Sequence, residues 1–221
     1  MSPDEHPVHR LACHGQIAAG RNGQVAEIAV DAITDLKAKV DDGQLATASL
    51  FRWRDQLFFY GEGLGAPIEP AHLMPKLTPL LTHWPGAATP RPWVPMMDIF
   101  HYNAPEDGAH WHRPDSARTP WGRLIYLRPH MVSRYIFYHF QMQEEKPGSG
   151  DKYGMISIHE NLLFFYGEEP AVVEAARRPG MLDSQNTPPN WHEVMFPHFQ
   201  PWPDDDGEEL WRRIELVATT G

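Results

Sequence analysis

The stretch Leu-Phe-Phe-Tyr-Gly-Glu occurs twice in this chain of 221 residues, at Leu57–Glu62 and again at Leu163–Glu168. Aromatic residues favour β-strands, so each copy predicts the second strand of a β-hairpin. In the first half the hairpin turn is predicted at Arg54-Asp55. The same hairpin in both halves of the chain indicates an internal repeat, and this repeat decides the fold.

Shorter signals accompany both copies in the same order. They are an Arg-Leu pair before the hairpin (Arg10-Leu11, Arg123-Leu124), a Trp-Pro pair after it (Trp84-Pro85, Trp202-Pro203) and a later tryptophan (Trp93, Trp211). We therefore predict two related modules, residues 1–102 and 121–221. The segment 103–120 is rich in Pro, Asp, His and Gly, and we predict that it is a linker.

Both modules show the same succession of periodicities. Apolar residues at helical spacing predict helices over Gln24–Val40 and Val132–Glu145. The strands predicted are Arg10–Ile17, Ala46–Trp53, Gln56–Tyr60 and Val94–His101 in the first module, and Arg123–Leu127, the hairpin Tyr153–Gly167 and Leu210–Ala218 in the second. Further helices are predicted at His72–Thr82 (interrupted by prolines), Pro170–Ala176 and Trp191–Phe199. This β-α-β-β-α-β order is ferredoxin-like. One such module leaves a sheet face bare. We therefore predict an α+β protein in which two ferredoxin-like modules pack sheet to sheet as an intrachain α+β barrel.

Composition narrows the function classes. The formal net charge is −10 with no basic block, which argues against a nucleic-acid partner. Cys13 is the single cysteine, so an internal disulfide framework is excluded. No apolar run has the length of a membrane span, and the N-terminus is unlike a signal peptide. We expect a cytoplasmic protein, either a monomeric pseudo-dimer or a weak homo-oligomer.

The second module resembles the L-rhamnose mutarotase family. The resemblance rests on Arg128–His139, where a proline and a Tyr-x-x-x-His pair open the first helix, and on the hairpin residues Asn161–Phe164 with Glu168. It continues in Asn190–Met195, which is similar to the Arg-Trp-Trp-x-x-Met helix of that family, and in Ile214–Val217. Members are single modules that dimerise, so the resemblance implies a tandem fused version. It also implies an isomerase that needs no cofactor or metal.

Tyr135 and His139 carry the chemistry that this resemblance implies. Residues four apart share a helix face, so a phenol and an imidazole can converge on one small ligand. Interconversion of sugar anomers needs one group to protonate the ring oxygen and another to deprotonate the anomeric hydroxyl, and a neutral histidine suits both. Trp191 would stack on the sugar, with His192 beside it. The alternative is that this aromatic helix face is only core packing.

The chain departs from the family pattern at several places. His192 replaces the second tryptophan of the family, and Pro147–Gly150 shortens the segment after the helix. The first module has no Tyr-x-x-x-His, since its helix reads Ala26–Asp31 without histidine or aromatic residues. We therefore expect one site per chain.

Two polar clusters were weighed as metal sites. His110 and His112, with His101, Glu106 and Asp115, could offer nitrogen and oxygen ligands to zinc or a similar ion, but a solvated or inter-domain loop is the favoured interpretation. The acidic run at Asp204–Glu209 could suit calcium, but a capped and solvated turn is the simpler interpretation.

Two functions follow from the sequence. The first is a cofactor-free mutarotase that interconverts the anomers of a small monosaccharide such as L-rhamnose by acid/base ring opening. The alternative is another use of the same barrel, as a cofactor-independent oxygenase or cyclase or as a non-catalytic small-molecule binder. Fold alone does not separate them, because function depends on the site.

Overall fold

A computed structural model describes residues 6–85, 88–113, 118–145, 147–204 and 210–221. Its strands are β1 (Val8–Gln16), β2 (Leu45–Trp53), β3 (Gln56–Leu64), β4 (Trp93–Pro95), β5 (Met97–Phe100), β6 (Thr119–Leu127), β7 (Ser149–Asp151), β8 (Met155–His159), β9 (Leu162–Glu169), β10 (Val173–Ala175), β11 (Phe199–Gln200) and β12 (Arg212–Thr219). Its α-helices are α1 (Asn22–Asp41), α2 (Pro70–Leu73), α3 (Gly108–Trp111), α4 (Val132–Glu145) and α5 (Trp191–Met195). Single 3₁₀ turns lie at Thr78–Leu80, Pro129–Met131 and Phe196–His198.

The chain forms two compact units. Unit 1 contains the described residues up to Met96, those of Pro105–Pro120, and Ile214–Gly221; unit 2 contains Met97–Ala104 and Trp121–Arg213. Each unit has an antiparallel sheet and helices, so the predicted α+β fold class is confirmed. No helix in the described ranges is long and apolar enough to span a membrane.

Unit 1 has the strand order β4-β1-β3-β2-β12. The first four strands follow the ferredoxin-like arrangement, with β1 and β3 paired from Val8↔Leu64 to Gln16↔Gln56. Helix α1 buries a row of aliphatic side chains at helical spacing: Val25, Ala29, Ala32 and Leu36. These side chains and the inward residues of the strands form one apolar core.

Unit 2 repeats the arrangement with the order β11-β6-β9-β8-β5. The hairpin β8–β9 pairs from Met155↔Tyr166 to His159↔Leu162 and contains the second copy of the repeated stretch. Helix α4, which has the predicted bounds, packs on a core that is richer in aromatic residues.

Each unit takes one outermost strand from the other predicted module, β12 in unit 1 and β5 in unit 2. The prediction of one strand over Val94–His101 is wrong, because β4 pairs with β1 in unit 1 and β5 pairs with β8 in unit 2. Pro95 has no N–H to continue a ladder, and the chain changes partner after it. The strand predicted at Leu210–Ala218 forms as β12, but its partner is β2 of unit 1.

Two further segments differ from the sequence prediction. The helix predicted at Pro170–Ala176 is instead strand β10, which pairs with β7; the β-branched pair Val172-Val173 favours this extended conformation. The predicted linker is also structured, since it contains α3 and buries the ring of Trp111 in unit 1. Part of this segment therefore contributes to the core of a unit rather than only joining two modules.

Candidate functional site

A cavity of about 420 Å³ lies within unit 2. Its walls come from β6, α4, β8, β9, α5 and the segments that follow α5. The lining is mostly aromatic and aliphatic: Trp121, Arg123, Tyr135, His139, Ile156, Phe165, Trp191, His192, Met195, Phe196, Phe199, Leu210 and Trp211. All four residues predicted as site residues from the sequence, namely Tyr135, His139, Trp191 and His192, are among them.

Helix α4 positions Tyr135 and His139 next to each other. Both side chains are almost completely buried, with exposures of 2% and 4%, whereas Phe137 and Phe140 on the other faces of the helix are exposed. The two rings lie 4.1 Å apart between centroids. His139 Nδ1 is 3.0 Å from the Tyr135 carbonyl oxygen. A carbonyl only accepts hydrogen bonds, so Nδ1 carries the proton and Nε2 carries the lone pair.

Burial fixes the protonation state of the pair. It lowers the pKa of His139 to about 4, with a smaller opposing effect from the Tyr135 carbonyl and a further lowering by His198. Burial also raises the pKa of the Tyr135 phenol. At neutral pH the site therefore holds a neutral imidazole that can accept a proton and a neutral phenol that can donate a hydrogen bond.

Helix α5 supplies another wall of the cavity. Trp191 presents an edge-to-face contact to His139, with centroids 5.0 Å apart, and Phe100 does the same from β5 at 5.5 Å. His192, the next residue, lines the cavity with an exposed side chain. The ring of His139 is thus held between aromatic neighbours, while the cavity stays open beside it.

Strand β6 adds two lining residues that the sequence analysis did not select, Trp121 and Arg123. The Arg123 guanidinium lies 4.9 Å from the centroid of the Trp121 ring. Its Nε is buried and has no hydrogen-bond partner. The signal in the sequence was the spacing of two residues, which puts both side chains on one face of a strand.

Arg10 on β1 of unit 1 has protein partners. The match of Arg10 with Arg123 in the sequence is not kept in the strand register, because the Asp55 and Asn161 carbonyls accept from the N–H groups of Ile17 and Leu127, and this register matches Arg123 with Cys13. Its Nε donates to the Tyr60 hydroxyl at 3.0 Å, and that hydroxyl donates to Glu62 Oε1 at 2.5 Å. Arg113 donates to both oxygens of Glu62, at 2.7 and 3.0 Å. Burial by itself raises the pKa of Glu62, but the Arg113 guanidinium outweighs it and holds that pKa below its ordinary value. Trp111 packs under Arg10 at 5.2 Å.

The C-terminus of α4 holds the loop that leads to α5. Glu144 and Glu145 are adjacent, and each accepts hydrogen bonds from a different part of this loop. The donors to Glu144 are Arg178 Nη2 (2.6 Å) and the Met181 N–H (3.1 Å). The donors to Glu145 are the Ser184 hydroxyl, the Asn186 N–H, and the N–H and hydroxyl of Thr187. One helix therefore positions both the Tyr135-His139 pair and the loop before Trp191.

The histidines proposed as metal ligands have other contacts. His110 Nδ1 accepts from the Glu106 N–H at 3.2 Å, and His101 Nδ1 lies 2.8 Å from Asp98 Oδ2. Where the chain is described, no group of three or more His, Cys, Asp or Glu side chains is placed to hold a metal ion. Asp115 and residues 205–209 of the acidic run lie outside the described residues.

Comparison with known proteins gives structural neighbours of low similarity. No protein-family profile and no curated protein matches the chain. A crystal structure from Fusobacterium nucleatum, provisionally assigned as a monooxygenase, is similar with 8% identity and a TM-score of 0.37 over 96% of this chain and 92% of that one. A second, from Lactobacillus acidophilus and with the same provisional assignment, is similar with 6% identity and a TM-score of 0.41 over 97% of both chains.

Proposed function

We propose that the unit 2 cavity binds a small, mainly apolar ring compound and removes a proton from it, as a cofactor-independent oxygenase or cyclase would. The observation that carries this proposal is the pairing of a neutral, buried His139 with an aromatic cavity of about 420 Å³. Pockets of this size hold ligands of a few rings.

The lining favours a ring compound over a sugar. A monosaccharide carries a hydroxyl on almost every carbon, and each buried hydroxyl needs a hydrogen-bond partner to offset its lost hydration. Carboxylate and amide side chains are the partners that could accept from several hydroxyls at once. The lining includes neither among the residues that the structure describes, and its polar groups there are Arg123, Tyr135, His139 and His192. A molecule with one or two polar groups on an apolar ring system fits this set better.

The chain's own part in the reaction is proton transfer. His139 Nε2 accepts the proton from a weakly acidic hydroxyl or activated C–H group, and the Tyr135 hydroxyl donates a hydrogen bond to the oxygen on which negative charge develops. The new anion beside the imidazolium favours its charged form, which offsets the low pKa of the empty site. The electron-rich anion then reacts with O₂ in an oxygenase, or with an electrophilic carbon of the same molecule in a cyclase.

Sugar mutarotation is the second candidate, and one observation favours it. The four residues that the resemblance to rhamnose mutarotases implied for the site line one cavity. Trp191 supplies a ring face for a pyranose, and the Tyr135-His139 pair supplies the proton donor and acceptor.

Two assays on the purified protein separate these candidates. An oxygen electrode records O₂ uptake with dihydroxynaphthalenes and hydroxyanthrones, and liquid chromatography with mass spectrometry detects cyclised or oxygenated products. Saturation-transfer NMR on L-rhamnose and other 6-deoxy sugars records anomeric exchange. We expect turnover of a ring compound that His139→Asn abolishes. Anomeric exchange that depends on His139, with no turnover of any ring compound, would replace the proposal by the mutarotase.

A further inference from the structure

We propose that the unit 2 cavity selects ring compounds that carry an anionic group, and that Arg123 binds this group. The inference rests on the proposed function in one respect only, because it takes the cavity to be a ligand site. It adds the chemical class of the ligand, an aromatic or alicyclic acid, and it assigns a specificity-determining role to a residue outside the Tyr135-His139 pair.

The Arg123 guanidinium has no hydrogen-bond partner among the described residues. The guanidinium lines the cavity, is only partly exposed, and makes no hydrogen bond or ion pair with any residue that the structure describes. Its one recorded contact is the stacking on Trp121 at 4.9 Å. A partly buried cation with an unpaired Nε is unfavourable for the protein alone, and an anionic ligand would offset that cost.

The described carboxylates of unit 2 that form ion pairs do so with cations other than Arg123. Several acidic side chains of unit 2 already have cationic partners: Arg213 lies 3.4 Å from Glu169, Arg178 lies 2.6 Å from Glu144, and Lys152 and Arg177 lie 3.1 and 2.7 Å from Glu174. Among the described residues, the lining contributes Arg123 and neutral His139 but no acidic side chain. An anionic ligand would therefore supply the charge that these described residues do not provide to Arg123.

The orientation of the Arg123 side chain also suits an anionic ligand. Its stacking on Trp121 orients the guanidinium plane beside the cavity. Arginine presents two parallel N–H donors, which match the two oxygens of a carboxylate or two oxygens of a sulfonate.

A matched pair of fluorescent probes tests this inference. N-phenyl-1-naphthylamine is neutral, and 8-anilinonaphthalene-1-sulfonate is the same molecule with one sulfonate added; the emission of both rises in an apolar site. We expect the wild-type protein to bind the sulfonate about 10- to 100-fold more tightly than the neutral probe, as a charge-assisted hydrogen bond in a partly buried site would give. Arg123→Gln should remove that preference and leave the affinity for the neutral probe unchanged.

Arg134→Gln is the matched control, because it changes the net charge equally at an exposed residue that does not line the cavity. It should keep the preference for the sulfonate. If the neutral probe binds but the preference is absent, or survives in Arg123→Gln, the inference about anions is wrong while the proposed binding site stands. If neither probe binds, the cavity is not a ligand site, and the proposed function fails with the inference.

Discussion

Arg10 on β1 of unit 1 and Arg123 on β6 of unit 2 both belong to the first strand of a module, but only Arg10 is hydrogen-bonded to other described residues. Arg10, Tyr60, Glu62 and Arg113 form a continuous, partly buried network. Arg123 faces a cavity instead. A group that is satisfied internally adds to stability and specifies one packing, whereas a group left without a partner is available to a ligand.

The helices of the two units differ in the same way. Helix α1 buries Val25, Ala29, Ala32 and Leu36, and these small and aliphatic side chains pack into the core of unit 1. Helix α4 buries Tyr135 and His139, whose rings line an open space. Under the proposed function, unit 1 serves mainly as a stable framework and unit 2 carries the chemistry. Four predictions test this division, from the largest expected effect to the smallest.

The largest effect is expected for His139→Asn. Loss of a positioned acid/base group should lower the rate of the reaction found in the substrate screen by about 10²- to 10⁴-fold. Asparagine is similar in size and can still donate to the Tyr135 carbonyl, so the fold should be retained. Initial rates and thermal unfolding are measured on the same sample. A variant that melts early but keeps full activity per folded molecule would show that His139 only packs the core.

Glu62→Gln should strongly destabilise unit 1. The change leaves the Arg113 charge without its buried anion, and breaking a buried pair in this way costs about 3–5 kcal/mol. Equilibrium unfolding in guanidinium chloride measures the loss. Glu169→Gln is the control in unit 2, since Glu169 and Arg213 are both about half exposed and such a pair contributes about 0–1 kcal/mol. Equal effects of the two changes would contradict the division between the units.

The third effect is a pH dependence that originates in α4. The pKa of His139 is lowered to about 4 in the folded protein, so the unfolded chain binds more protons between pH 6.5 and 4. The stability from the neutral imidazole is therefore complete above pH 6.5 and is lost as the pH falls towards 4, by about 3 kcal/mol. His139→Asn should flatten this part of the stability profile. A profile unchanged in the variant would place the titrating group elsewhere.

The smallest effects separate the two arginines. Arg10→Gln removes a hydrogen bond to the buried Tyr60 hydroxyl and should lower the free energy of unfolding by about 1–3 kcal/mol. Arg123→Gln removes no hydrogen bond and should change it by less than about 0.5 kcal/mol. Differential scanning calorimetry on the pair checks this. A larger loss for Arg123→Gln would mean that its charge already has a partner in the folded chain.

The sequence predicted the helices and hairpins that form between residues close together in the chain. Helical spacing predicted α4 with its bounds, and the repeated stretch predicted both hairpins. The four predicted site residues line one cavity because a helix face and the start of α5 are local features; their roles stay predictions. Strand partners were harder. The local sequence does not predict which strand β5 or β12 pairs with, because each partner is distant in the chain.

Arg123 shows a second limit of the sequence. The proposed role of Arg123 depends on its lack of a partner among the described residues. That lack depends on the tertiary contacts of the surrounding carboxylates, and a local sequence pattern does not predict such contacts. The Arg-Leu pairs also mislead, because the strand register matches Arg123 with Cys13 rather than with Arg10.

The hydrogen bonds between the end of α4 and the following loop bear on whether the backbone can be cut within that loop. Met181 is held by Glu144, and Ser184, Asn186 and Thr187 are held by Glu145. The backbone between these anchors could be cut after Asp183, and both new ends would still be tied to the same helix. Unit 2 is therefore suited to assembly from two fragments that meet at residues 183 and 184. The N-terminal fragment would bring Tyr135 and His139, and the C-terminal fragment would bring Trp191.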